Sequence, residues 1–368
     1  MGSNMNSHKP MNVGIIGIGA ISGIYLKNLT SVFSGSVTVT AVADLMQERA
    51  QAAADEYGIA NVRSTEELLQ SNDVDIILNL TTPQSHFDIA RKAVEAGKHV
   101  YGEKPLCVTR EEAAELLSLA DAHGVRVGCA PDTVLGAGIQ TCRKLIEDGW
   151  IGEPIGATAF MLNHGHESWH PDPAFYYKAG GGPMFDMGPY YLSALVQLMG
   201  PAGRISGTAR KTFDTRTITS EPKYGEIVDV EVPTHVTANI EFAAGAVATV
   251  ITSFDVWGST LPNIEIYGTD GSMIVPDPNT FGGPVRIRRK GAKEWSEMPL
   301  THANAENSRG LGVADMADSI SAGTEHRANA TVAAHVLEIM HGIHDAAASG
   351  AYYTPKTTCR QPDPRPLA

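Results

Sequence analysis

The sequence predicts an α/β chain: a Rossmann-type, doubly wound parallel sheet, followed by a C-terminal α+β domain built on an open antiparallel sheet. Three observations carry that expectation. Short apolar runs alternate with helical segments over residues 11–130. The first run breaks at a glycine turn and reopens as a helix. Beyond residue 131 the strands change character, from wholly apolar runs to apolar–polar alternation. At 368 residues, 43% of them hydrophobic and 19% charged, the chain has ordinary globular composition and room for two domains. The expected division is a tag-like, disordered segment over 1–10, a dinucleotide-type domain over 11–130 and a substrate-binding and oligomerisation domain over 131–368.

The elements follow in order. Val13, Ile15 and Ile16 make a buried strand, Gly17-Ile18-Gly19 a tight turn, and residues 20–29 a helix. A β-branched run over 37–43 ends at Asp44, helices are expected over 47–57 and 66–70, and a strand over 74–80. Then come a helix over 87–96 closed by Gly97, a strand over 99–101, a helix over 110–123 closed by Gly124, and a strand over 125–129. A helix over 139–148 stops at Gly149. Val236, Ala238, Ile240 and Phe242 then alternate with polar residues, and Ala243-Ala244-Gly245 turns the chain into a partner strand over 247–254. Short strands over 263–267, 272–275, 285–289 and 294–297 extend the sheet, and helices over 312–322 and 331–349 close the domain. A tail carrying Pro355, Pro362, Pro364 and Pro366 is expected to lie extended on the surface.

Composition excludes several function classes. The net charge is −13 without a dense Lys/Arg cluster, which argues against a nucleic-acid or anionic-membrane surface. Cys107, Cys129, Cys142 and Cys359 lack the C-x-x-C spacing of zinc sites and are too sparse for a disulfide scaffold, so a reducing, cytoplasmic setting is expected. No apolar run approaches 18 residues and Met1 to Pro10 is polar without a hydrophobic stretch, so neither a membrane span nor a signal peptide is expected; Met1-Gly2-Ser3 looks like a cloning remnant.

The first turn carries dinucleotide chemistry. Gly17 permits the sharp bend, and Gly19 lets a pyrophosphate approach the backbone. Ala20 and Ile21 open the helix whose unpaired N–H groups and dipole face the phosphates, and Ser22 keeps the third fingerprint position small. Asp44, 22 residues beyond Ser22, stands where a carboxylate accepts ribose hydroxyls and repels a 2′-phosphate, favouring NAD over NADP. The plainer alternative is a loop aspartate capping the following helix. Thr81-Thr82-Pro83-Gln84-Ser85-His86 and Gly102-Glu103-Lys104-Pro105 both follow strands, and ligands sit beyond the carboxyl ends of strands in such sheets. Pro105 restricts the backbone of Lys104 and so aims its amine, with a cis peptide one way of doing it. A solvated Lys104 and a His86 that only caps its helix are the alternatives.

At this point the sequence resembles a family. The run from Ala96 to Leu106 containing Gly102-Glu103-Lys104-Pro105, together with Thr82-Pro83-x-x-His86, is similar to the Gfo/Idh/MocA oxidoreductases, which act on sugars and polyols with NAD(P). The resemblance continues through Gly180-Gly181-Gly182-Pro183 to Asp186-x-Gly188-x-Tyr190 and the late Arg309-Gly310-x-Gly312. It implies that Lys104 lies between nicotinamide and substrate, and that a D-x-G-x-H motif supplies an Asp and a catalytic His. Here Asp186 and Gly188 keep the motif but Tyr190 stands in the histidine's place. A nearby ammonium stabilises a phenolate, so Tyr190 beside Lys104 would exchange the substrate proton while Asp186 orients the sugar. The alternative treats Tyr190 and Tyr191 as core filling.

The segment from Asn163 to Pro173 is dense in His and aromatics. A carbohydrate site is expected, with Trp169 stacking on a sugar face and His166, Glu167 and His170 bonding hydroxyls. A purely structural loop is the alternative, as is a proton-accepting role for His166 or His170. No metal is expected. Arg309 is a further candidate substrate contact, Asp315 is either a cleft residue or a solvated helix residue, and His335, His341 and His344 read as packing or surface residues. The expected activity is therefore NAD-dependent interconversion of a secondary hydroxyl and a ketone on a sugar, glycoside or polyol, by a homodimer or homotetramer. A redox-neutral enzyme that retains NAD and a non-catalytic NAD-binding regulator are the rivals.

Overall fold

The computed structural model describes residues 9–367; the expected cloning remnant at Met1-Gly2-Ser3 lies outside the described residues. The chain divides into two compact units, one running to Leu135 and including Asn307–Ala334, the other formed by Gly136–Glu306 and the residues from His335 on.

The first unit is built around β1 (Met11–Ile16). It continues through α1 (Ser22–Thr30), β2 (Val37–Ala43), α2 (Gln47–Tyr57), β3 (Asn61–Val62), α3 (Thr65–Leu69), β4 (Ile76–Asn79), α4 (Pro83–Glu95), β5 (His99–Gly102), α5 (Arg110–His123) and β6 (Val127–Cys129). The strands form one six-stranded parallel sheet in the order β3-β2-β1-β4-β5-β6. Helices on both faces require strands apolar on both sides, and Ile76, Ile77 and Leu78 of β4 are fully buried. Order reverses between β2 and β4 around β1, which places the open ends of these strands at the crevice where α/β sheets take ligands.

Two expected boundaries move for local reasons. α1 starts at Ser22 rather than residue 20, because the Ser22 N–H and hydroxyl both donate to the Gly19 carbonyl and close the turn first. α4 starts at Pro83 rather than residue 87: a proline at the first helical position has no N–H to leave unpaired. The two-residue β3 is too short to leave a periodic signal.

The second unit contains α6 (Ala137–Glu147), β7 (Pro154–Leu162), α7 (Gly182–Met199) and β8 (Ala202–Arg210). β9 (Thr215–Thr217), β10 (Ile227–Asp229), β11 (His235–Phe242), β12 (Val247–Ser253), β13 (Ile264–Gly268), β14 (Gly271–Val275), β15 (Val285–Arg289) and β16 (Ser296–Met298) follow. An eight-stranded sheet runs β16-β15-β14-β13-β7-β12-β11-β8. It is antiparallel throughout except where β7 lies parallel to β12, so the sheet is mixed rather than purely antiparallel. β7 escaped the sequence reading because its inward positions include Ala157 and Ala159, whose small side chains make a weak alternation. The proline-rich end is tied down within this unit: Gln361 donates to the Gln197 carbonyl, and the Arg365 N–H donates to Gln140.

α8 (Leu311–Ala322) and α9 (Ala330–Ser349) complete the chain. The segment Asn307–Ala334 belongs to the first unit, so the second is not the single run from 131 to 368 that the sequence suggested. The contacts explain the return. Asn28 donates to the carbonyls of Asn307 and Arg309, Cys129 N–H donates to Ala328, and Asp132 accepts the N–H groups of Gly310 and Gly312 at the start of α8. A Cβ on Gly312 would meet the Tyr101 ring, at 2.0 Å from its hydroxyl oxygen, so α8 fits here only with glycine at that position.

Candidate functional site

In the first unit the glycine turn is shaped as a phosphate cradle requires. Gly17 has φ +99°, and a Cβ there would lie 2.7 Å from the Leu80 carbonyl carbon at the end of β4. Gly19 is the opposite case: a Cβ would meet nothing within 4 Å, so its backbone borders open space. Ala20 is exposed, and Ile21 at the N-cap of α1 offers no side-chain hydrogen bond, so no capping side chain covers the N–H groups beyond that of Ser22. Asp44 Oδ2 accepts the Ile18 N–H at 2.6 Å and Oδ1 accepts the Met46 N–H at 2.8 Å. The carboxylate thus braces the turn against the end of β2. These residues fit a dinucleotide: an open backbone at Gly19, an uncapped helix end and a fixed carboxylate one strand away.

The two loops beyond β4 and β5 are linked. Asn79 Oδ1 accepts from the N–H and hydroxyl of Thr81, and its amide donates to the His86 carbonyl. Thr82 is the N-cap of α4 and Pro83 its first residue. Glu103 Oε1 accepts the Tyr25 hydroxyl at 2.8 Å and Oε2 accepts the Lys104 N–H at 3.0 Å. Burial, reinforced by the Glu103 charge, keeps the Tyr25 phenol far above its ordinary pKa and so a donor. The Lys104–Pro105 peptide is cis. His86 does not face outward with the rest: it is 2% exposed, with Nδ1 2.7 Å from the Pro105 carbonyl and Nε2 3.1 Å from the Thr81 carbonyl. Arg309 also lies in this unit, half-buried, with its guanidinium donating to Asn307. Asp315 is neither open nor solvated; it is buried and ion-paired with Arg327.

In the second unit, the His-rich loop and α7 come together. His166 is 5% exposed, its Nε2 3.4 Å from Asp186 Oδ2. Its ring stacks on Tyr176 with centroids 3.7 Å apart, meets Phe254 edge-on at 4.7 Å and tilts against Trp169 at 5.3 Å. Tyr190, four residues beyond Asp186 and therefore on the same helical face, is buried. Glu167, expected to meet sugar hydroxyls, is turned inward and paired with Arg216 at 3.1 Å. Arg216 also binds Asp255 and the Phe254 carbonyl, so a buried cation pins the loop's floor. Trp169 is 62% exposed, and His170, whose Nδ1 accepts the Asp172 N–H, is half-buried. Burial, then the neighbouring His166, holds the His170 pKa below its usual value. His335 is a packing residue whose Nε2 accepts the Ala202 N–H, and His341 and His344 both lie against Phe185.

Tyr176, Arg216 and Asp255 had no sequence signal. Arg216 sits in a three-residue strand with threonines either side, a pattern that does not say which face it buries. Among the described residues no group of three or more His, Cys, Asp or Glu side chains is arranged to hold a metal ion, and no helix is long and apolar enough to cross a membrane.

A parallel sheet with an open glycine turn, an uncapped helix end and a braced lysine loop defines an oxidoreductase of the dinucleotide-binding type. Residues 11–130 match the oxidoreductase family with an NAD-binding Rossmann fold, and residues 139–274 match the GFO/IDH/MocA C-terminal domain. The chain belongs to the Gfo/Idh/MocA oxidoreductase family. It is 28% identical to a 1,5-anhydro-D-fructose reductase of Ensifer adhaerens over 79% of this chain and 83% of that protein. It is 32% identical to an inositol 2-dehydrogenase of Salmonella paratyphi B over 39% of this chain and 44% of that protein. In fold it resembles levoglucosan dehydrogenase in complex with NADH and levoglucosan, with a TM-score of 0.81 and 20% identity over 95% of this chain and 100% of that one.

Proposed function

We propose that the chain interconverts a secondary hydroxyl and a ketone on a sugar, glycoside or polyol, with NAD rather than NADP. The observation that carries the reading is the bracing of one amine: Tyr25, Glu103 and His86 all act on the short backbone stretch that presents Lys104. A nicotinamide dinucleotide supplies hydride acceptance and donation at a substrate carbon. The glycine turn, the α1 N-terminus, Asp44, Thr81, Thr82 and Pro83 hold it, and the Asp44 carboxylate turns away a 2′-phosphate. Names among the relatives, anhydrofructose reductase and inositol dehydrogenase, support the substrate class.

Lys104 holds the reacting oxygen and favours the charge that develops on it. Asp186 orients the neighbouring hydroxyl, and Tyr190 takes the proton released as the C–O bond becomes C=O. One observation favours a second acceptor: His166 Nε2 lies 3.4 Å from Asp186 Oδ2, a pair able to hold that proton. Trp169, His170 and Arg309 contact the rest of the substrate, and Glu167, fixed by Arg216, holds the loop that carries them. A homodimer or homotetramer and a reducing, cytoplasmic setting complete the proposal; all four cysteines are buried free thiols, in keeping with the latter.

The test is NADH absorbance after mixing near-stoichiometric enzyme and NAD with pyranoses, inositols and glycosides. A persistent rise with turnover is expected for one class. A rise that decays assigns a redox-neutral reaction instead, and no rise despite NADH binding refutes the reading. Tyr190→Phe is expected to lower kcat at least a hundredfold with binding kept; if His166→Gln does so and Tyr190→Phe does not, the proton belongs to His166.

A further inference from the structure

Among the described residues of the first unit, His86 is the histidine whose two ring nitrogens both face backbone carbonyls at hydrogen-bond distance, one on each of the loops just described. A carbonyl oxygen only accepts, so each contact needs an N–H on the ring. A neutral imidazole has one N–H, an imidazolium two. The neutral ring therefore satisfies one carbonyl and points a lone pair at the other. The shorter contact, 2.7 Å to Pro105, marks Nδ1 as the nitrogen that keeps its hydrogen.

We propose that His86 is a positioning residue for Lys104: it clasps the Pro105 carbonyl on the Lys104 loop and the Thr81 carbonyl on the neighbouring turn, and the clasp closes on both sides only when the imidazole carries two protons. This rests on the reading that Lys104 holds the reacting oxygen and that the Thr81–Pro83 turn holds the dinucleotide. The surroundings set when the second proton is held. Burial lowers the His86 pKa from 6.5, outweighing the two carbonyls and Glu103, which favour the charged ring; the Lys104 ammonium opposes it. A small cavity of about 10 Å³, room for about one water, is lined by His86, Glu103, Cys129 and the apolar Leu116. Burial, with Glu103 adding, holds the Cys129 thiol well above its usual pKa, so it brings no charge there. Near neutral pH the ring is neutral, donating to the Pro105 carbonyl and leaving the Thr81 carbonyl without the second ring N–H. Below the His86 pKa both loops are held, and the dinucleotide meets a site already in place.

The test needs no substrate. Imidazole ¹⁵N signals are followed from pH 5 to 8 in the full chain, with His86 assigned by its absence in His86→Gln. Its pKa is expected below 6.5, with the proton on Nδ1 above it. NADH affinity, read by fluorescence, is expected to rise about two- to tenfold as pH falls through that ionisation, the worth of one hydrogen bond. The step is absent in His86→Gln. By reciprocity, saturating NADH raises the His86 pKa by the same factor. An ordinary pKa near 6.5, an Nε2-bound proton, an affinity step that survives in His86→Gln, or a pKa that ignores NADH overturns the proposal. Lys104→Met separates the two readings: if it transfers hydride as the parent does, the role of Lys104 fails, while the His86 signals and the NADH step still decide whether the clasp exists.

Discussion

Replacing Asp132 by Asn tests how the returning segment is held to the dinucleotide unit. Asp132 is 2% exposed, and a single oxygen, Oδ2, accepts both Gly310 and Gly312 N–H groups, at 2.9 and 3.1 Å. Burial pushes its carboxyl up from 3.8 to about 6; Glu103 adds to the shift, while the two glycine N–H groups and Arg309 oppose it. The folded chain therefore binds the proton more tightly than the unfolded one, and stability falls as pH rises from about 4 to about 6. A shift of roughly two units corresponds to about 3 kcal/mol lost by pH 8. Asparagine cannot ionise, and its amide oxygen can take the place of Oδ2 and keep both bonds. Asp132→Asn is accordingly expected to be more stable than the parent at pH 8, its advantage shrinking by about 2–3 kcal/mol at pH 4.5. Equilibrium urea unfolding of both proteins across that range is the measurement. Parallel stability curves, or an asparagine variant weaker at pH 8 than at pH 4.5 relative to the parent, would refute the reasoning.

Three further outcomes follow from contacts already described. Gly17→Ala forces a left-handed alanine against the Leu80 carbonyl and is expected to cost about 2–4 kcal/mol and most NADH affinity; urea unfolding at near-parental midpoint contradicts it. Asp44→Ser removes the charge at the end of β2, so the NADPH-to-NADH affinity ratio should rise at least tenfold in fluorescence titrations, and an unchanged ratio removes Asp44 from cofactor selection. Arg216→Met leaves Glu167 and Asp255 buried without their cation, and a loss of about 3–5 kcal/mol in chemical unfolding is expected; a loss below about 1 kcal/mol would mean the ions do not hold the loop.

Much of the first unit was legible because its signals are local. Parallel strands buried on both faces read as unbroken apolar runs, and Gly97 and Gly124 mark helix ends by backbone conformation alone. The glycine turn and Asp44 were legible for the same reason: their spacing in sequence is their geometry. The second unit was harder. β7 pairs with β12 about 90 residues away and with β13 about 110 away, and no local pattern records a parallel partner reached through α7, β8 and β11. The pairing of His166 with Asp186 and of Glu167 with Arg216 is likewise a product of long-range packing. His86 shows the subtler limit. Its place in the sequence suggested a cofactor contact, but at the fourth position of α4 the side chain leans back toward the helix start and is swallowed between two carbonyls.

The way the chain re-enters its first unit also sets an order of events during synthesis. Residues up to Leu135 supply every strand of the parallel sheet, yet Gly128 bridges to Asn329, and Asp132 waits for Gly310 and Gly312. A ribosome must therefore deliver residues Gly136–Glu306 of the second unit before the first can be finished. Until residue 334 has emerged, the sheet's β6 flank is bare and Asp132 lacks its donors. The parallel sheet of the nascent protein thus depends on a segment made more than 170 residues after its last strand.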